Sequence, residues 1–179
     1  TFIGVMIGHY IYFIDVYEFL FTMGAPLGAM FSGLLFRGRW KIALVYYAAL
    51  LIAYFISPIA WQLPIWGMWD TYLGGAALVL IVLMVKKGSW ESQLKKRSSY
   101  ALALCAFVGL EADVLFRIFV FIPCQTYHLF YGFDVEALRL IWIAGAVGTP
   151  LKVAISVFAT ILIVPLLIKA IERINLFKE

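Results

Sequence analysis

Residues 100–152, YALALCAFVGLEADVLFRIFVFIPCQTYHLFYGFDVEALRLIWIAGAVGTPLK, decide how this chain is read. The apolar run ALALCAFVGL continues through Glu111, Asp113 and Arg117 without losing helical character, and an aromatic loop follows. In hydrocarbon an ionisable side chain costs at least about 2.5 kcal/mol even on lenient insertion scales. Such residues therefore face a protein interior or a watery cavity and pair with something. A helix that shelters a functional cavity is the expectation.

Composition, read outward from that stretch, points to a bilayer. Of 179 residues, 65% are hydrophobic, 17% aromatic and 13% charged, with a mean hydropathy of +0.99. A soluble domain is nearer about half apolar, so the chain reads as an integral membrane protein without a soluble domain. A hydrocarbon core of about 30 Å takes about 20 helical residues per crossing. Backbone polar groups there must be satisfied within each segment, which makes the long apolar runs helices. No run alternates with a barrel's period of two. The net charge of +4 does not signal nucleic acid, because the bases sit beside membrane segments. A chain that opens on Thr1 rather than Met is expected to have lost some N-terminal residues, and a targeting segment there stays open.

The fold class expected is an all-α, six-helix membrane bundle. Its helices cover about residues 1–14, 22–36, 42–56, 71–85, 99–122 and 148–171 of a single transmembrane domain. A short extra helix is expected over 134–144, and Pro150 is placed in the first turn of the last helix, where its missing N–H matters little. Helix 2 carries Gly24, Gly28 and Gly33, small residues that let helices approach closely. Gly4 with Gly8, and Ala25 with Ala29, repeat the small-xxx-small spacing, for internal packing or for a partner subunit.

Basic residues orient the bundle. Arg37, Arg39 and Lys41 lie in one connection, Lys86, Lys87, Lys95, Lys96 and Arg97 in another, and Lys169, Arg173 and Lys178 follow the last helix. Cytoplasmic loops collect Lys and Arg, so both termini are expected in the cytoplasm. The outer connections carry Asp15 and Glu18, then Trp61, Trp66, Trp69 and Asp70, then Tyr127, His128, Tyr131, Asp134 and Glu136. An interfacial aromatic belt explains them in part. A belt belongs on both faces, however, and the inner connections offer only Trp40 and Trp90, so the excess also fits an external binding mouth.

Within this frame Asp113 and Arg117 are four apart and can pair on one helical face. Lys152, about a turn into the last helix, lies at a similar depth. If helices 5 and 6 are neighbours, two acids and two bases meet beneath the aromatic loops, either as a salt-bridge network that fixes packing or as ligand contacts. Glu111 is turned about 200° from Asp113 on the helix, so one partner does not easily satisfy both acids. His128, Cys124 and Gln125 stand at the mouth, as ligand contacts or as loop and capping residues, while His9 packs within helix 1. Cys105 and Cys124 are too few for a disulfide framework, and on one helix they stand about 28 Å apart. His9 and His128 are the sole histidines, so no metal cluster is readable. No nucleophile, base and orienter assemble by spacing, so no catalytic residue and no cofactor are expected.

The pattern resembles the substrate-binding S components of energy-coupling factor transporters, which take up vitamins and other micronutrients. The likeness spans nearly the whole chain. It rests on six short hydrophobic helices, the Gly-rich GAPLGAMFSGLLFRG, the basic 2/3 and 4/5 turns, the large outer loops and the closing IVPLLIKAIERI. The resemblance implies a pocket near the outer face built from helices 4 to 6 and the outer loops. It also implies a small-xxx-small motif on helix 1 that docks on the membrane coupling subunit, with Gly4 and Gly8 at the matching position where the family typically has alanines. Partner ATPases would supply the energy, and no GxxxxGK[ST] loop is present here.

The expected function is therefore capture of a small planar solute from outside, in a multi-pass plasma-membrane protein surrounded by lipid. Trp61, Trp66, Trp69, Tyr72 and Tyr127 would stack on the solute, and Glu111, Asp113, Arg117 and Lys152 would fix its polar groups, with Gln125 and His128 beside them. Two other classes stay open. One is a membrane enzyme or a quinone- or haem-binding protein; the other is an assembly scaffold whose charges pair with another membrane protein.

Overall fold

The computed structural model describes residues 7, 11, 18–96 and 98–173. Of the helix expected over 1–14, only Ile7 and Ile11 are described, both helical; Gly4, Gly8 and His9 lie outside the described residues, as do Asp15, Arg97 and Lys178. The regular structure is entirely helical among the described residues. A short α1 (Glu18–Thr22) leads into α2 (Gly24–Phe36) and α3 (Trp40–Ile56). Two 3₁₀ turns, Pro58–Gln62 and Ile65–Met68, deliver the chain to α4 (Trp69–Lys86). Then come α5 (Ser89–Lys95), α6 (Ser99–Phe121), α7 (Thr126–Leu129) and α8 (Val135–Arg173).

Helix α6 is the central column, packed against α2, α3, α4 and α8. Its residues Cys105, Val108, Ala112 and Leu115 are buried, alongside Phe31 and Leu35 of α2, Tyr47 and Tyr54 of α3, and Leu78 and Ile81 of α4. The crossing with α2 is close because both helices present glycine. A Cβ on Gly28 would stand 2.6 Å from the Gly109 carbonyl oxygen, and one on Gly109 would strike the Ser32 hydroxyl and the Gly28 carbonyl, whereas one on Gly33 would meet open space. Two tyrosine hydroxyls pin α3 to the same column: Tyr46 donates to Ala112 O at 2.9 Å and Tyr47 to Val108 O at 2.7 Å. Trp90 is not an interfacial residue of the 4/5 connection. It is 1% exposed, and its indole N–H donates to Leu35 O at 3.3 Å.

The end of the chain differs from expectation. In place of a short helix over 134–144 and a separate one over 148–171, α8 runs unbroken from Val135 to Arg173 with Pro150 and Pro165 inside it. Proline in a helix interior removes a donor from the carbonyl four residues earlier. For Pro150 that carbonyl belongs to Ala146, and it accepts instead from the Trp69 indole N–H at 2.8 Å. A side chain from another helix thus replaces the bond that the break was expected to concede. Asp134 secures the start of α8, its carboxylate accepting the Ala137 N–H at 2.8 Å, as a helix-capping residue does.

Two stretches, Ile65–Lys86 and Val135–Ile168, are long and apolar enough to cross a membrane. The full α8, at about 1.5 Å per residue, is about 58 Å long, nearly twice a hydrocarbon core. Its outward row Leu140, Val147, Leu151, Ile155, Phe158 and Leu166 is exposed, as are Val45, Ile56 and Leu83 on other helices.

Candidate functional site

Where α6 meets α8, helical spacing lays two stripes face to face. From α6 come Leu110, Asp113, Val114, Arg117, Ile118 and Phe121; from α8 come Trp142, Gly145, Thr149, Lys152, Val153 and Ser156. Positions three and four apart share a helix face, so each stripe is one face of its helix. With Phe21, Gly67 and Asp70 they enclose a cavity of about 360 Å³, within the range of small-molecule sites.

The charges in it are unequal. Arg117 Nε donates to Asp113 Oδ1 at 2.8 Å and a terminal nitrogen reaches Oδ2 at 3.5 Å, so this pair largely neutralises itself. A guanidinium has five N–H donors, and those turned away from Asp113 stay available. Lys152 has no ion pair among the described residues. Asp70, 4% exposed, accepts the Thr71 N–H on Oδ1 at 2.9 Å, while its Oδ2 has no hydrogen-bond partner.

One wall is aromatic and fixed in place. Trp142 stacks on Tyr54 with ring centroids 5.8 Å apart and planes within 2°, and its N–H donates to Pro64 O at 3.1 Å. Gly67 is where this loop passes the indole, and a Cβ there would collide with the ring. Arg139 fastens the same loop, donating to Gln62 O at 2.8 Å. The three bonds from Trp69, Trp142 and Arg139 tie the segment 57–69 to α8 and hold the outer wall.

Asp113, Arg117 and Lys152 are thus brought together, and the other expected site residues are not. Glu111 points away from this cavity and borders a second space of about 440 Å³ between α4, α6 and α8, shared with Trp69 and Asp70. Trp61 and Trp66 are 67% and 56% exposed, and the Trp61 indole bonds to Phe55 O. Tyr72 packs against the hydrophobic core and does not line the cavity. Tyr127 is buried against Phe121. The Gln125 carbonyl accepts the N–H groups of His128 and Leu129, and the His128 ring lies 3.4 Å from Phe133 O, so both serve the loop. The tryptophan that lines the cavity is Trp142 of α8 instead.

Trp142, Thr149 and Ser156 were not singled out by sequence reasoning, and Asp70 was named only as a residue of an outer connection. Thr149 and Ser156 had a signal, since they flank Lys152 at −3 and +4 on one face. Trp142 had none, because its place depends on a loop closing over α8. Among the described residues no group of three or more His, Cys, Asp or Glu forms a metal centre. Compared with family models, curated proteins and solved structures, the chain matches none of them.

Proposed function

We propose that this chain is a multi-pass membrane protein that captures a small flat solute from outside the cell, in the manner of the S components of energy-coupling factor transporters. A membrane coupling subunit and ABC ATPases would drive its uptake. The observation that carries this reading is the cavity between α6 and α8, lined by Arg117, Lys152 and Trp142 together. An apolar lining with a few convergent polar groups is the usual make-up of a ligand site. The free Lys152 ammonium and the spare Arg117 donors suit a solute with an anionic or acceptor-rich edge, while Trp142 suits its flat face.

The apolar exterior supports the bilayer part of the reading. Large exposed apolar surfaces on a protein mark membrane or partner contact, and α8 presents its outward row along most of its length. On this reading the bundle makes six crossings with both termini cytoplasmic, and the basic residues of the 2/3 and 4/5 connections lie inside.

The test is to release and identify by mass spectrometry whatever copurifies with the detergent-solubilised protein, and to measure rebinding by tryptophan fluorescence. A stoichiometric micronutrient-like compound whose quenching is lost in Trp142→Phe and whose affinity drops in Lys152→Ala supports capture. A preparation that is empty and unresponsive to a micronutrient panel, yet copurifies with another membrane protein, would transfer the assignment to a scaffold role.

A further inference from the structure

Beside the solute cavity lies a polar cluster to which the proposed function gives no task. Glu111 of α6 is 0% exposed, Thr71 of α4 is 0% exposed and Asp70 is 4% exposed. Among the described residues four of their oxygens, both of Glu111, Oδ2 of Asp70 and Oγ1 of Thr71, have no hydrogen-bond partner. Asp70 and Glu111 border the same space, and Gly74, on the same face of α4 as Thr71, lies against the Glu111 side chain, so the three residues lie side by side where α4 meets α6. Buried polar groups are ordinarily satisfied, and each exception calls for an explanation.

The packing around Glu111 holds it there. A Cβ on Gly74 would stand 2.6 Å from Glu111 Cβ, 2.8 Å from its Cγ and 3.2 Å from the Tyr47 hydroxyl. A glycine on α4 is what allows the acid to lie against that helix. Among the described residues the neighbours supply no cation. Tyr47, the nearest group on α3, spends its proton on Val108 O, and Tyr46 spends its own on Ala112 O. Arg117 is paired with Asp113 on the opposite face of α6. Lys152 of α8 shares only the α6–α8 cavity with Asp70, while Glu111 borders the other space.

We infer that Asp70, Thr71 and Glu111 form a binding site for a small monovalent cation, with sodium as the ion that fits. The donors are all hard oxygens, which select alkali and alkaline-earth ions over softer metals. Four free protein oxygens fall short of the six to eight that calcium takes, and magnesium is usually held by one or two carboxylates with most of its water shell kept. Asp70 borders both spaces, so the ion has a route in through the α6–α8 cavity, and its occupancy is felt at the solute site. The site itself does not depend on which solute, if any, that cavity takes.

The experiment is thermal unfolding of the purified protein in detergent at constant ionic strength, with choline chloride replaced stepwise by sodium chloride, and in parallel by potassium or calcium chloride. Retention of ²²Na⁺ gives a direct reading. The wild type should be stabilised saturably by sodium, because an ion that binds only the folded state raises its stability with concentration. Glu111→Gln should weaken that sodium response by at least about tenfold through loss of a charged ligand. Thr71→Val, nearly isosteric, should also weaken it while leaving the choline baseline folded. A wild-type midpoint indifferent to sodium, an equal sodium response in Thr71→Val, or stabilisation by calcium alone would overturn the inference. So would a response to acid that sodium does not change.

Discussion

The indole N–H of Trp69 donates to the Ala146 carbonyl at 2.8 Å, the acceptor that Pro150 leaves without its helical donor. Two residues 77 positions apart thereby keep α8 continuous past a proline. Trp69→Phe keeps the ring and removes the bond, and should lower stability by about 1 kcal/mol, the usual net worth of a hydrogen bond. Pro150→Ala restores the internal donor, so the same Trp69→Phe change in that background should have a smaller effect. Unfolding of the four proteins of this cycle checks it, and additive effects would mean that the two residues are not coupled.

The α2–α6 crossing makes a positional prediction about glycine. Gly28→Ala places a methyl against the backbone oxygen of Gly109, which has no side chain to move aside. We expect about 1–3 kcal/mol of destabilisation, as for overpacked sites. Gly33→Ala meets nothing within 4 Å and should be neutral, or stabilising by up to about 1 kcal/mol through helix propensity. Thermal unfolding of the two variants side by side distinguishes a helix contact from a general intolerance of alanine.

Lys152 and Arg117 border one cavity yet should respond differently to removal. Lys152 is exposed and unpaired, so Lys152→Ala should change stability by less than about 0.5 kcal/mol while weakening solute binding by about tenfold or more, the equivalent of about 1.4 kcal/mol. Arg117→Ala leaves the Asp113 carboxylate, 17% exposed, without its partner. It should therefore lower stability as well, by about 1–3 kcal/mol for the stranded acceptor. Parallel unfolding and fluorescence titrations read the two effects apart.

Gly67→Ala tests whether the outer wall is held by the loop. Its new methyl would collide with the Trp142 ring, so the indole must leave its stack on Tyr54. Tryptophan emission should shift and the unfolding midpoint fall. In a Trp142→Leu background the same glycine change should do much less, because the atoms it strikes are gone. Equal effects in both backgrounds would show that the loop, rather than the ring, is what alanine disturbs.

Much of this was legible along the chain. The helix expected over 99–122 is observed over Ser99–Phe121, because a long apolar run with two-sided burial reads the same locally and in the fold. The separation of Glu111 from Asp113 also followed from helical rotation alone, and the two acids do face different spaces. The aromatic loops misled for a physical reason. Composition says that Trp61, Trp66 and Trp69 are near an outer connection, but which ring turns inward depends on the acceptors available. Trp69 is drawn to Ala146 O and Trp142 to Pro64 O, leaving Trp61 bonded to Phe55 O at the end of α3.

By itself the sequence determined that the described chain is helical, that long stretches of it are apolar enough for a bilayer, and that the charges of α6 must be sheltered. Those properties are local: they follow from composition, from the 100° step of the helix and from the cost of burying charge. Only the tertiary structure decided which sheltered groups meet. Lys152 joins Asp113 and Arg117 because α8 packs on α6, and Glu111 joins Thr71 and Asp70 because Gly74 admits it to α4. Such pairings rest on how helices lie side by side, and residues far apart in the chain carry no mark of it.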